Sequence, residues 1–355
     1  MLTPLLLALF VQTPAPATET ARIDEAVQAF LQQPGAVGIS VAVARGSELV
    51  YTKTQGFADL EFADVADEET MFRIGSITKQ FTAAAILRLA ERGKLSVDDP
   101  LTKFLPTYPT QGHELTLRHL LTHTSGVPNY TDFGEEWMKL VARELTDDEM
   151  VALWEKRPFD FAPGERWSYS NSGYYLLGMV IQRASGQGYA DFLRTEFFEP
   201  LKLTRTRYDS NAELILNRAQ GYAYEEGQFR NDRLIGMAQP GAAGGLISTA
   251  GDLARWEMAL VSGKVVKPES YEEMTLPFML TDGKETTYGF GLSLDDYAGH
   301  RSVHHGGGIF GFNSYLAHFP ESKLTIATIS NSEAVSAGAL CEKLARLLLE
   351  RKSGG

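Results

Sequence analysis

The chain has 355 residues, more than an average domain of ~150, which is enough for one large core or two lobes. Hydrophobic residues make up 44% and charged residues 22%, the balance of an ordinary globular protein. A net charge of -12 without clustered Lys and Arg excludes a nucleic-acid surface. The single cysteine, Cys341, rules out an intrachain disulfide; in the apolar run AGALCEKLARLLLERK it reads as a buried, inert thiol.

The N-terminal MLTPLLLALFVQTPAPATETA has an apolar run followed by A-P-A ending at Ala17, the layout of a secretory signal over residues 1–17, although no Lys or Arg precedes Arg22. Export to the periplasm or the medium is therefore expected. No other apolar stretch nears the ~20 residues of a membrane span. A first helix is predicted at about 20–32, then two strands, VGISVAVAR and ELVYTKTQGFA, joined at Gly46-Ser47. From Thr78 to about Gly263 the pattern is helical: AAAILRLAERG, LRHLLTH, EMVALWEK, GYYLLGMVIQRASG and DLARWEMALVSG, punctuated by Gly or Pro. Strands return as YGFGLSL, SVHH, FNSYLAHF and KLTIATIS, and a helix closes the chain at about 334–352. Strands at both ends with helices between predict an α+β fold: one antiparallel sheet completed by both chain ends, flanked by helices, with a mostly helical lobe inserted. The expected division of the single domain 18–355 is an α/β lobe at about 18–75 and 265–355 and a helical lobe at about 76–264.

Within MFRIGSITKQFTAAAILRLAERG, Ser76 stands at a helix start and Lys79 one turn on; Ser76 is the one serine with a lysine three residues later. Alone this is an ordinary helix start with a solvated lysine. Two further motifs follow in order. Tyr169-Ser170-Asn171 is the one Y-x-N in the chain, just before a predicted helix, and His305-Gly306-Gly307 follows a strand-like run.

With that order, and with HLLTHTSGVPNY, FAPGERWSYSNSGYYLLG and GAAGGLISTAGDLARW around it, the sequence from about Val37 to Ser332 resembles the serine penicillin-recognising enzymes. It is most similar to their class C beta-lactamase-like branch, which includes D,D-carboxypeptidases, D-aminopeptidases and carboxylesterases. The resemblance implies the DD-peptidase/beta-lactamase-like fold and a serine hydrolase that works through an acyl-enzyme on ester or amide bonds, without cofactor or metal. Ser76 is then the nucleophile, and Lys79 or Tyr169 its base. Asn171 holds Lys79 and the substrate amide. The backbone N–H groups of Ser76 and Gly308 form the oxyanion hole. His305, Gly307 and Gly308 line the strand on which the acyl group lies. His304-His305-Gly306 also fits H-x-G; the spacing to Gly311-Phe312 selects His305.

The expected partner is a small ester, peptide or beta-lactam-like substrate. His305 and Gly306 stand where relatives have lysine and threonine, so a fixed cation and a hydroxyl are lost. This favours carboxylester or D-amino-acid peptide substrates, with weak or no beta-lactamase activity. A catalytically silent penicillin-binding or peptidoglycan-sensing module is the rival reading, against which the intact Ser76, Lys79, Tyr169 and Asn171 count. His119 and His123 have i, i+4 spacing but no H-E-x-x-H glutamate, so packing is preferred to metal binding. Gly241 to Gly245 form no dinucleotide fingerprint, and no G-x-S-x-G elbow occurs.

Overall fold

A computed structural model of the chain describes residues 18–349. The expected signal segment, 1–17, lies outside the described residues. Helix α1 spans Glu19–Leu31 and starts at Thr18, whose hydroxyl accepts the Ala21 N–H and so satisfies one orphan donor of the first turn. Strands β1 (Gly38–Arg45) and β2 (Glu48–Asp59) form a hairpin that turns at Gly46, with φ +58°. A short β3, Asp64–Val65, pairs with β2.

The inserted segment begins with a single 3₁₀ turn, Gly75–Ile77, that runs into α2, Thr78–Glu91. Helices α3 (Leu117–Leu121), α4 (Asn171–Ser185) and α5 (Ala250–Val261) follow among shorter pieces. Helix α2 is buried on nearly every side, because its small Ala83, Ala84 and Ala85 let neighbours approach. Phe81 of α2 stacks on Trp256 of α5 at 3.9 Å between ring centroids. Helix α5, inside the stretch read as helical lobe, packs against β1 and β2 of the sheet. The acidic 225–227 segment is the exposed tip of a hairpin, with Glu226 and Gly227 at positive φ.

The chain then returns to the sheet as β4 (Val303–Ile309), β5 (Phe312–Phe319) and β6 (Leu324–Ser330), and ends in α6, Ala337–Leu349. The strand order is β4-β5-β6-β1-β2-β3. Strand β1 pairs antiparallel with β6, from Ile39 opposite Ser330 to Arg45 opposite Leu324, so both chain ends build the sheet centre as expected. Period-2 alternation sends Ile39, Val41 and Val43 to one face, where Ile23, Val27 and Phe30 of α1 and Leu340 and Leu344 of α6 cover them. Ala42 points to the other face, into the core shared with α2 and α5.

YGFGLSL is not a strand. It is a tight loop bent at Gly289 and Gly291, in which Tyr288 bridges Ser293 and Ser293 bridges His304. Gly291 has φ +70°, and a Cβ there would fall 2.7 Å from the Lys79 carbonyl oxygen, so the loop exists to pass close to α2.

Candidate active site

Ser76 sits where the small sheet strand Phe72–Arg73 enters the 3₁₀ turn. The entry is fixed on both sides: Ile74 N–H bonds to the Leu246 carbonyl at 3.1 Å, and Leu246 N–H to the Thr78 hydroxyl at 3.2 Å. Gly75 must be glycine: φ is +49°, and a Cβ would meet the Gly308 backbone nitrogen at 2.8 Å.

Lys79, in the first turn of α2, is fully buried. Its Nζ lies 3.1 Å from Ser76 Oγ, 2.8 Å from Asn171 Oδ1 and 2.8 Å from the Ala243 carbonyl oxygen. Asn171 opens α4, and its amide is turned by Nδ2 donating to Thr131 Oγ1 at 3.2 Å, which leaves Oδ1 for the lysine. No carboxylate touches Lys79, so burial pushes its pKa well below the usual lysine value.

Tyr169 precedes α4, with its side chain near enough to Ser76 for that residue to influence the phenol pKa. Its ring centroid is 4.7 Å from Lys79 Nζ. Burial raises the phenol pKa above its usual 10.0, an effect only partly offset by Ser76. The phenol is therefore protonated at neutral pH.

Strand β4 is the sheet edge beside Ser76. His304 exchanges both backbone hydrogen bonds with Ser293, on the side away from β5. Alternation in an antiparallel ladder then directs the peptide groups of Gly306 and Gly308 the same way, so the Gly308 N–H faces the Ser76 turn. The Ile77 N–H bonds back to the Ile74 carbonyl at 3.3 Å, whereas the Ser76 N–H, among the first of the helix, has no partner within it. Ser314 Oγ donates to the Ile74 carbonyl at 2.8 Å, and a Cβ at Gly307 would fall 2.0 Å from that same oxygen. The glycines thus let the strand lie flat against the nucleophile turn.

His305 points to the site side, its ring centroid 6.2 Å from that of Tyr169. Its Nδ1 is 2.6 Å from the Gly306 carbonyl, which only accepts, so Nδ1 carries the proton and Nε2 accepts from the Tyr288 hydroxyl at 2.8 Å. Burial, with Lys79 adding to it, lowers its pKa to about 3. His305 is thus neutral, buried and with both nitrogens occupied, and it does not line the cavity beside Ser76. His304 turns to the opposite face and bonds Asp295 and Tyr315.

The histidines of HLLTH do not approach one another as ligands. His119 Nδ1 closes a capping box with Thr116 at the start of α3. His123, at φ +58°, is buried with its ring 4.2 Å from that of Tyr169, and its Nδ1 accepts the Ser170 N–H at 3.1 Å. It packs beside the site, as preferred over metal binding, and fixes the loop carrying Tyr169 and Asn171. Tyr288 was missed, and no spacing pattern points to it. Among the described residues no group of His, Cys, Asp and Glu could hold a metal ion.

A cavity of about 410 Å³ opens onto Ser76 and Asn171. Its walls are mostly apolar, from Tyr130, Trp137, Ile235, Pro240, Ile309 and Phe310, and Glu333 also lines it. Sequence reasoning did not reach these residues, because four separate stretches of chain supply them.

The Beta-lactamase family model matches residues 23–350. The chain belongs to the Beta-lactamase family. It is 32% identical to "Penicillin-binding protein 4*" of Bacillus subtilis (strain 168), over 83% of this chain and 68% of that one. It is 30% identical to "Esterase EstB" of Burkholderia gladioli, over 84% of this chain and 88% of the esterase. The solved D-stereospecific amidohydrolase from Streptomyces sp. superposes with a TM-score of 0.78 at 27% identity, covering 92% of this chain and 98% of that one. This Beta-lactamase family member is accordingly a serine hydrolase with the penicillin-binding-protein-like α+β fold. No helix among its described residues is long and apolar enough to cross a membrane.

Proposed function

We propose that the enzyme is a carboxylesterase or D-amino-acid amidase or peptidase that acts through an acyl-enzyme on Ser76, with Lys79 as the acylation base. The hydrogen-bond geometry of Lys79 carries this reading. A neutral amine has two N–H donors and one lone pair. Asn171 Oδ1 and the Ala243 carbonyl can only accept, so they take the two donors, and the lone pair is left for the Ser76 O–H. Burial keeps the amine neutral enough to receive that proton.

As Ser76 Oγ bonds to the substrate carbonyl carbon, its proton passes to Lys79, and the carbonyl oxygen becomes an anion facing the Ser76 and Gly308 N–H groups. The bond to the leaving alkoxide or amine breaks, and that group takes a proton through the Tyr169 hydroxyl, which Lys79 resupplies. Water then attacks the acyl-Ser76 ester, giving up its proton by the reverse of this path. His305 is neutral and engaged with Tyr288, and no Lys or Arg lines the cavity, so the site lacks a cation to receive a penicillin carboxylate. This supports weak or no beta-lactamase activity. A silent penicillin-binding module would have no use for a depressed lysine beside its serine.

Incubation with a fluorophosphonate followed by mass spectrometry should show one adduct on Ser76, and Ser76→Ala should abolish both the adduct and chromogenic ester turnover while the protein stays folded. Turnover near wild type in Ser76→Ala would remove the nucleophile. An adduct without any turnover would favour the silent module.

A further inference from the structure

The acyl-enzyme reading gives the cavity beside Ser76 a direction. The leaving group takes its proton through Tyr169, and neither Tyr169 nor its neighbour His305 lines the cavity, whereas Asn171, Gly308 and Ile309 do. Strand β4 runs from His305 to Gly308 and on to Ile309, so the cavity opens on the side away from the leaving group and is placed to receive the acyl half of the substrate. Its volume of about 410 Å³ is far more than an acetyl group fills and lies in the range of small-molecule sites. Two polar residues of the lining are already engaged: Asn313 Nδ2 donates to the Ser332 and Val335 carbonyls, and Glu333 Oε1 accepts the Gly311 N–H.

One wall of this cavity is held by a residue outside it. Gln239 is fully buried and does not line the cavity. Its Oε1 accepts the Trp137 indole N–H at 2.8 Å, and its Nε2 lies 2.7, 2.9 and 2.7 Å from the carbonyl oxygens of Leu140, Val141 and Arg143. The partners fix the amide orientation, because an indole N–H only donates and a carbonyl only accepts. The Gln239 backbone carbonyl also takes the Tyr130 hydroxyl, at 2.8 Å. Two aromatic walls, Trp137 and Tyr130, are therefore tied to one residue. Trp137 needs such a tie: its helix, Glu135–Met138, is about one turn long and exposes Glu135 and Glu136, too short to hold an orientation alone. The anchored indole meets Tyr130 edge-on, with ring centroids 5.6 Å apart, and lies nearly parallel to Phe310 at 6.1 Å. A ring fixed in this way spares an incoming acyl group the entropy of ordering it.

We propose that Trp137 selects acyl groups carrying a large apolar or aromatic substituent, and that Gln239 is the positioning residue that sets it. The proposal deepens the acyl-enzyme reading of Ser76 and rests on it.

The test compares kcat/KM for p-nitrophenyl 3-phenylpropanoate and p-nitrophenyl propanoate, which differ by one phenyl ring on the same chain. The wild-type enzyme should favour the phenyl ester by about tenfold or more, the scale of burying one aromatic group, and Trp137→Ala should remove most of that ratio. Trp137→Phe keeps a ring but gives up the N–H, and Gln239→Met removes the amide at similar length; each should lower the ratio by about threefold or more. In a Trp137→Ala background, Gln239→Met should lower it no further, which a general loosening of the fold would not produce. Gln239→Met also leaves three carbonyls without their donor; if it does not fold, Trp137→Phe decides, since it keeps those bonds. A wild-type ratio near one, a ratio unchanged in Trp137→Phe, or an equal fall from Gln239→Met with and without Trp137 overturns the proposal while the hydrolase reading stands. If neither ester is turned over and no fluorophosphonate adduct forms on Ser76, the failure lies in the acyl-enzyme reading, and the proposal falls with it.

Discussion

Lys79 Nζ has three hydrogen-bond partners and no negative charge beside it. Its ammonium form is therefore the strained one, and activity that depends on the free amine falls as pH drops through the lowered pKa. Tyr169 shifts the other way, so a phenol that must stay protonated imposes no alkaline limb below pH 10. Asn171→Asp tests the assignment. A carboxylate in place of the Oδ1 that now sits 2.8 Å from Nζ favours the ammonium, raises the lysine pKa, and should move the acid limb of kcat/KM upward by about one unit or more. The pH profile of ester hydrolysis reads this directly. An acid limb that stays in place would transfer the base role to another group. The sequence made Ser76, Lys79, Tyr169 and Asn171 legible because the motif fixes residue types at close spacing. It said nothing of Ala243 or Tyr288, whose parts depend on a carbonyl direction and on ring contacts between distant segments, and gave His123 only a packing role.

Among the elements, β4 carries the most demand per residue, since one edge strand must flatten against the nucleophile turn and keep an N–H free. Its three glycines are unequal. At Gly307 an added Cβ would fall 2.0 Å from the Ile74 carbonyl oxygen and 2.4 Å from Ser314 Oγ, both in positions that a hydrogen bond already fixes. At Gly308 an added Cβ meets nothing within 4 Å. Gly307→Ala should therefore cost about 2–3 kcal/mol of stability, the scale of overpacking, while Gly308→Ala stays within about 0.5 kcal/mol of wild type. Urea unfolding followed by circular dichroism measures both. Equal midpoints for the two variants would mean that β4 and the Ser76 turn are not packed as tightly as the distances require. Elements with clean periodicity were read close to their true limits, as with α1, β1, β2, β5 and β6. YGFGLSL failed because alternating apolar residues imitate a strand even when glycines bend the chain around α2. SVHH was read too short because a glycine run resembles a loop, whereas here it is what lets the strand continue past the site.

Across the whole molecule, the order of motifs along the chain becomes a single site because both chain ends close the same sheet. Strand β1 lies between β2 and β6, α6 lies across the sheet face beside α1, and β4 meets the Ser76 turn. The single sheet completed by both chain ends was legible from strands at both ends of the sequence, but the docking of α6 was not, since nothing local says which face it covers. Cys341 reports on that docking. It is fully buried on α6, and burial raises the thiol pKa far above its usual value, so the reactive thiolate is suppressed in the folded state. If α6 leaves the sheet only when β6 and β1 separate, Cys341 labelling by a chromogenic disulfide in rising urea should track loss of ester hydrolysis through one shared transition. The native protein should label negligibly over hours. Labelling at urea concentrations where activity is intact would show that α6 opens on its own, as a local unfolding unit detached from the site. In that case the C-terminal helix would be a cover for the sheet rather than part of the cooperative body that holds Ser76 against β4.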